Sequence, residues 1–354
     1  MMTVISIISF LVVIVVLILA HELGHFITAK ASGVKVEEFG LGFPPRLLSV
    51  KRGETLYSLN AIPLGGFVKM AGEEDPDVPK SLASKSIPIR LLVLSAGSLM
   101  NLLLPLLLFS IAFMVPHNLV IGQVTVEEVA LDTPAARAGI RPGDIILSVN
   151  EKPVSNNGDL YRYIQRNLGK KVAMLIQHSD STRENVQLIP RWKPPQGQGS
   201  TGIVIATSDA TIVSQHYPFW KAIPLGVGAC IETFVLFKNG IISMIIGAAP
   251  VTLAGPVGIA QLTGEAAKAG ISPLLEFAAF LSINLAIINI FPLPALDGGR
   301  IAFVLLEGAR RGKRIAAKTE GVVHFIGFAM IMAFILAITY QDIMRIISGE
   351  SLIP

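Results

Sequence analysis

From Thr3 to Ala20 the chain runs for 18 residues without an ionisable side chain, and the residue that ends the run is a histidine. Only Thr3, Ser6 and Ser9 are polar within it. Hydrocarbon offers no partner for an unpaired peptide group, so a stretch of this length and character crosses a bilayer as an α-helix. The span continues to about Ala29, through Ala20-His21-Glu22-Leu23-Gly24-His25. Three polar side chains at the end of a membrane helix are costly unless they meet a partner. The start Met1-Met2-Thr3 lacks Lys and Arg, and no small-residue cleavage site follows, so the run reads as a retained span rather than a signal peptide.

The rest of the composition agrees. Of 354 residues, 52% are hydrophobic and 15% charged, against about 25% charged in soluble domains. Further spans are expected at about Ile89–Val115, Pro273–Pro292 and Val322–Ile347. Phe219–Gly247 is apolar but holds Lys221, Glu232 and Lys238, which suits an interfacial helix, with a fifth span as the alternative. Cys230 is the single cysteine, so neither an intrachain disulfide nor a thiolate metal site is available.

Loop charge orients the spans. Arg310-Arg311-Gly312-Lys313-Arg314, with Lys318 beyond, is the densest basic cluster and lies between two spans. It reads as a cytoplasmic connector rather than a nucleic-acid patch. With four spans, 30–90 is then cytoplasmic, and residues 117–271 and both termini face outward.

Two connecting regions look folded. Leu47–Ile62 alternates around Arg52-Gly53-Glu54 as a β-hairpin, with Gly65–Met70 as a possible third strand. It follows the histidines closely enough to lie beside them, where an unpaired edge would suit an extended peptide. Asp132-Thr133-Pro134-Ala135-Ala136-Arg137-Ala138-Gly139-Ile140-Arg141-Pro142-Gly143-Asp144-Ile145 onward reads as short helix, glycine turn and strand, ending at Asn150. It resembles the core of a PDZ domain, a module that captures or screens polypeptide. Trp192–Ser200, rich in Pro, Gly and Gln, reads as a linker. The expected divisions are 1–116, 117–192, 193–270 and 271–354.

His21 and His25 stand one helical turn apart, about 40° in rotation, and so can offer nitrogen to one metal ion. Glu22 is rotated about 100° from His21, to the side where a reacting water would sit. A third ligand is needed. Glu54 is one option but lies in the hairpin turn. Asp297 is the stronger, in Leu296-Asp297-Gly298-Gly299 directly after the third span and its prolines Pro292 and Pro294. A cap on the following helix is the plainer local reading of that aspartate. The first and third spans run in the same direction, however, so His25 and Asp297 reach the same face. Asn284 is a weaker candidate for an interhelical hydrogen bond. His117, His178, His216 and His324 show no ligand spacing.

Taken together, A-H-E-L-G-H at 20–25, I-P-L-G-G-F-V-K-M at 62–70, the PDZ-like core, G-P-V-G-I-A at 255–260 and N-x-x-P-x-P-x-L-D-G at 289–298 resemble the site-2 protease family of intramembrane zinc metalloproteases. The bacterial branch named for the sigma-E regulator protease is the nearest match. The resemblance implies one Zn2+ per chain on His21, His25 and Asp297, with Glu22 as catalytic acid/base. It implies Asn289, Pro292 and Pro294 near substrate, and a membrane-associated β-structure over about Leu41–Met70. Departures are Ser98 where the family often has proline, and one PDZ-like unit where some relatives have two.

The expected protein is a multi-span α-helical membrane protein of about four transmembrane helices, with a membrane-associated β-hairpin and one inserted extracytoplasmic PDZ-like α/β domain. It would sit in the bacterial cytoplasmic membrane and cut transmembrane segments of proteins already cleaved outside, such as anti-sigma factors or signal-peptide remnants. A non-catalytic PDZ-containing adaptor and a metal-ion transporter are the rivals. Neither requires Glu22.

Overall fold

The computed structural model describes residues 4–249 and 253–348, so Thr3, the expected start of the first span, lies outside the described residues. The chain forms two units: Met1–Ala112 with Leu253–Pro354, and Phe113–Thr252 inserted between them.

The first unit holds α1 (Val4–Ala31), α2 (Ile87–Met114), α6 (Pro256–Ala269), α7 (Ile271–Ile290), α8 (Asp297–Ala309) and α9 (Ala317–Ser348), with a hairpin of β1 (Val36–Arg52) and β2 (Thr55–Met70) packed on α1. On α1 a stripe at helical spacing, Ser6, Val13, Leu17 and Gly24, is buried, while Ile5, Ile8, Val12 and Val16 are exposed. That division suits a helix with one face on protein and the rest in lipid. α9 exposes almost its whole apolar surface, Phe325, Met330, Leu336 and Ile347 among it.

α2 runs antiparallel to α1, because Val93 reaches His25 while Asn101 reaches His21. α6 lies against the first turns of α1, so close that a Cβ on Gly264 would stand 2.0 Å from Ser6 Oγ. The Gly255-Pro256-Val257-Gly258 start of α6 is fastened to α9. The Gly258 amide donates to Asp342 Oδ2 at 2.7 Å, and Arg345 holds the other oxygen at 2.8 Å. The start of α1, the end of α2, α6 and the end of α9 therefore share one face. The hairpin, the start of α2 and the end of α8 share the opposite one. There Glu307, one tenth exposed, takes Arg90 at 2.6 Å and Arg314 at 3.1 Å. Burial alone would raise the Glu307 carboxyl; the two guanidinium groups more than reverse that and hold it below its ordinary value.

The hairpin turns where expected, with Arg52 paired to Thr55. The third strand is the second half of β2, and it folds back. Val36–Leu41 of β1 pairs on one side with Leu56–Leu59 and on the other with Gly66–Met70. The two bent strands thus make a four-rung sheet with Gly66–Met70 along one edge. Val36, Val68, Met70, Leu82, Val93 and Val304 close a core beneath it. Leu47, Leu48 and Val50 on the far edge remain more than half exposed.

The inserted unit holds β3 (His117–Val129), α3 (Pro134–Arg137), β4 (Ile145–Val149), β5 (Lys152–Pro153), α4 (Asn157–Arg166), β6 (Val172–Gln177), β7 (Arg183–Leu188), β8 (Ile203–Gln215) and α5 (Phe219–Ile245). Its sheet order is β7-β6-β4-β3-β8, with β5 on β4. Alternate residues Val172, Met174 and Ile176 of β6 are buried against Val124, Val126, Ile146 and Val149, the period-two pattern of a half-buried strand. The helix–turn–strand expected over 132–150 is present, with Thr133 capping α3 and Gly143 at φ +91 in the turn.

The sheet does not end at residue 192, where the sequence suggests a boundary. β8 pairs with β3 along its length. The supposed linker is an internal loop, closed by the Arg191 amide on Ser200 O at 2.8 Å and by Arg191 on Gln198 at 2.9 Å. α5 packs on α4, where Asn239 donates to Gln165 O at 2.8 Å and Glu232 faces Arg166 at 3.7 Å. Among the described residues five helices are long and apolar enough to cross a membrane: the four expected, and α5, the least apolar of them.

Candidate active site

α1 delivers His21 and His25 one turn apart at its buried end, and the break after α7 delivers Asp297. Residues 291–296 are irregular, as two prolines require, and α8 restarts at Asp297. The cap position is Leu296, without a side-chain bond, so the plain capping reading of Asp297 fails. Its carboxylate instead reaches both imidazoles. Asp297 Oδ2 lies 3.1 Å from His21 Nε2 and 3.1 Å from His25 Nε2, and the two nitrogens are 3.3 Å apart. One donor atom from each residue falls within 4.8 Å of the others. Two imidazole nitrogens and one carboxylate oxygen, held this closely at a helix end, match the ligand set of a catalytic zinc site with one position left open.

α2 supports the cluster. The Nδ1–H of His25 donates to Val93 O at 2.8 Å, which leaves Nε2 free to coordinate. Gly97 lies directly under the rings: a Cβ there would stand 2.3 Å from His25 Nε2 and 2.6 Å from His21 Cε1. Gly24, between the histidines, allows the same approach from α1, since its Cβ would stand 2.3 Å from Ala96 O.

Glu22 points along the other side. A Cβ on Gly66 would come within 3.0 Å of Glu22 Cγ and 2.8 Å of Ile18 Cγ2. The free edge of the hairpin sheet therefore runs past Glu22. The following loop is anchored to the Asp297 helix, because Glu73 accepts from Arg300 and from the Met70 amide.

Glu54, the other ligand option, is elsewhere: half exposed in the hairpin turn, it pairs with Lys80 at 2.7 Å. Asn289 lies in the last turn of α7, and Pro292 and Pro294 in the break between it and Asp297. Asn284 makes no interhelical bond among the described residues, donating to Phe280 O of its own helix at 2.8 Å. The link between helices comes from Ser282, whose hydroxyl donates to Asn101 O at 2.7 Å. His324, which shows no ligand spacing, accepts the Ala295 amide at 2.8 Å and so braces the loop before Asp297. A lone histidine 29 residues from its contact leaves no trace in sequence spacing.

A membrane helix bundle that gathers His, His and Asp beside a glutamate defines a metallopeptidase class. The model of peptidase family M50 matches residues 9–334. A Clostridium perfringens protein assigned as a zinc metalloprotease is 37% identical over 334 residues, covering 92% of this chain and 95% of the relative. One from Clostridium acetobutylicum is 35% identical over 333 residues, covering 93% and 94%. The regulator of sigma-W protease RasP of Bacillus subtilis is 28% identical over 431 residues, covering 96% and 99%. The chain belongs to peptidase family M50, the site-2 proteases.

Proposed function

We propose that this protein is an intramembrane zinc metalloendopeptidase that cuts transmembrane segments of other membrane proteins. The observation that carries it is the convergence of His21, His25 and Asp297 within 4.8 Å beside Glu22, the histidines and Glu22 standing on a helix apolar enough to span a bilayer. His21, His25 and Asp297 would hold the ion. When bound, zinc supplies Lewis acidity that polarises a carbonyl and acidifies water. Glu22 takes the proton from the attacking water at its carboxylate and returns it to the departing amine.

A helical substrate shields its own peptide bonds, so it must be drawn out before attack. The free edge Gly66–Met70 beside Glu22 suits an extended segment, paired by backbone hydrogen bonds. Asn289, Pro292 and Pro294 would flank that segment. The exposed Leu47, Leu48 and Val50 suit a hairpin that dips into lipid. With the 310–314 cluster on the cytoplasmic side, the inserted unit lies outside the cell. As a PDZ-like module it would bind or screen polypeptide left by an earlier cut, the substrates being proteins such as anti-sigma factors or signal-peptide remnants.

Purified protein and a model transmembrane substrate test this. Glu22→Gln should retain zinc and lose cleavage by several orders of magnitude, while Glu54→Ala should change neither. Normal cleavage by Glu22→Gln would overturn the mechanism.

A further inference from the structure

Three residues of α2, one turn apart, face the two ligand histidines: Val93, Gly97 and Asn101. The first two have clear tasks, a carbonyl for His25 and clearance for both rings. The third is unexplained by packing. Asn101 is 1% exposed within a largely apolar span, where a leucine would be cheaper to bury. Its carboxamide reaches His21 Nδ1, with Nδ2 placed 3.5 Å away, and its Oδ1 is buried without a partner among the described residues.

The two ends of a carboxamide are nearly isosteric, and the hydrogen-bond network decides which faces a neighbour. For His21 to offer Nε2 to a metal, its proton must sit on Nδ1, and that N–H needs an acceptor. The atom facing it must then be oxygen. Resting on the zinc reading above, we propose that Asn101 is a positioning residue for His21: its carboxamide oxygen accepts the Nδ1–H, fixing tautomer and ring orientation as the Val93 carbonyl does for His25. Asparagine can also turn over and donate to Nδ1 when the proton sits on Nε2 and faces Asp297, so it accommodates the metal-free pair as well. Ser282 steadies the residue by donating to its backbone carbonyl at 2.7 Å.

The test uses the full-length protein in detergent, with zinc affinity measured by competition against a chelator series. The thermal stability of the metal-free protein is followed in parallel. Asn101→Asp keeps an acceptor and loses the donor, and should hold zinc within a few-fold of wild type. Asn101→Leu removes the acceptor and should weaken zinc about 10–100-fold, the range for lost outer-sphere partners, without lowering metal-free stability to match. Loss of zinc by Asn101→Asp would overturn the proposal, as would wild-type affinity in Asn101→Leu. His21→Ala separates the two levels: if it binds zinc as wild type does, the ligand assignment fails, whereas loss there with wild-type affinity in Asn101→Leu sinks only the positioning role.

Discussion

At the scale of single residues, the site divides into groups visible in the sequence and groups that are not. His21, Glu22 and His25 are visible because a helix turns spacing into a shared face. Asp297 is visible only through topology, since parallel travel of the first and third spans puts their ends at one depth. Val93 and Gly97 are not visible: one acts through a backbone carbonyl and the other through the side chain it lacks. Gly97 yields a direct prediction. A methyl group there would stand 2.3 Å from the His25 nitrogen proposed to bind the ion, so Gly97→Ala should lose zinc stoichiometry and proteolysis together. Metal analysis of the purified variant checks this, and full occupancy would refute the close approach.

At the scale of elements, sequence alternation revealed the hairpin and offered Gly65–Met70 as a third strand, but not the strand with which it pairs. Strand patterning records which face is apolar, whereas the fold-back of Gly66–Met70 onto Val36–Leu41 depends on register shifts with no compositional mark. The same limit hid β8, because a loop rich in Pro and Gly looks alike whether it joins two domains or two strands. In the inserted sheet, His178 makes a pH prediction. Hydrogen bonds to Glu184 and then Asp144 raise its pKa above the ordinary 6.5, with Asp144 Oδ1 at 2.8 Å. A raised value means stability fully present below about 6.5 and lost as pH climbs through the folded-state pKa. Thermal melts of the full chain should therefore show a wild-type advantage over His178→Gln at pH 6 that shrinks by pH 9. An advantage that instead grew with pH would contradict the assignment.

For the whole molecule, the chain leaves the membrane bundle at the end of α2 and returns at Leu253, next to α6, on the same face. A segment that starts and ends on one side crosses an even number of times. Among the described residues of the inserted unit, α5 is the single helix long enough to span, and one crossing would break that parity. Its Glu232 and Asn239, moreover, are engaged by α4. Single cysteines placed at both ends of α5 in a Cys230→Ser background should thus react with an impermeant thiol reagent from the same side. Labelling from opposite sides would establish five spans.

The proposed ligand set is split between the first tenth of the chain and a residue 272 positions beyond His25. Synthesis proceeds from the N-terminus, so the histidines enter the membrane long before their carboxylate partner has been made. If Asp297 is a ligand, a growing chain would be inert toward its neighbours at the insertion site, and a chain broken off before Asp297 would never arm. On that reading competence would arrive only when the final sixth of the polypeptide docks, and complete assembly would itself be the first safeguard on this protease.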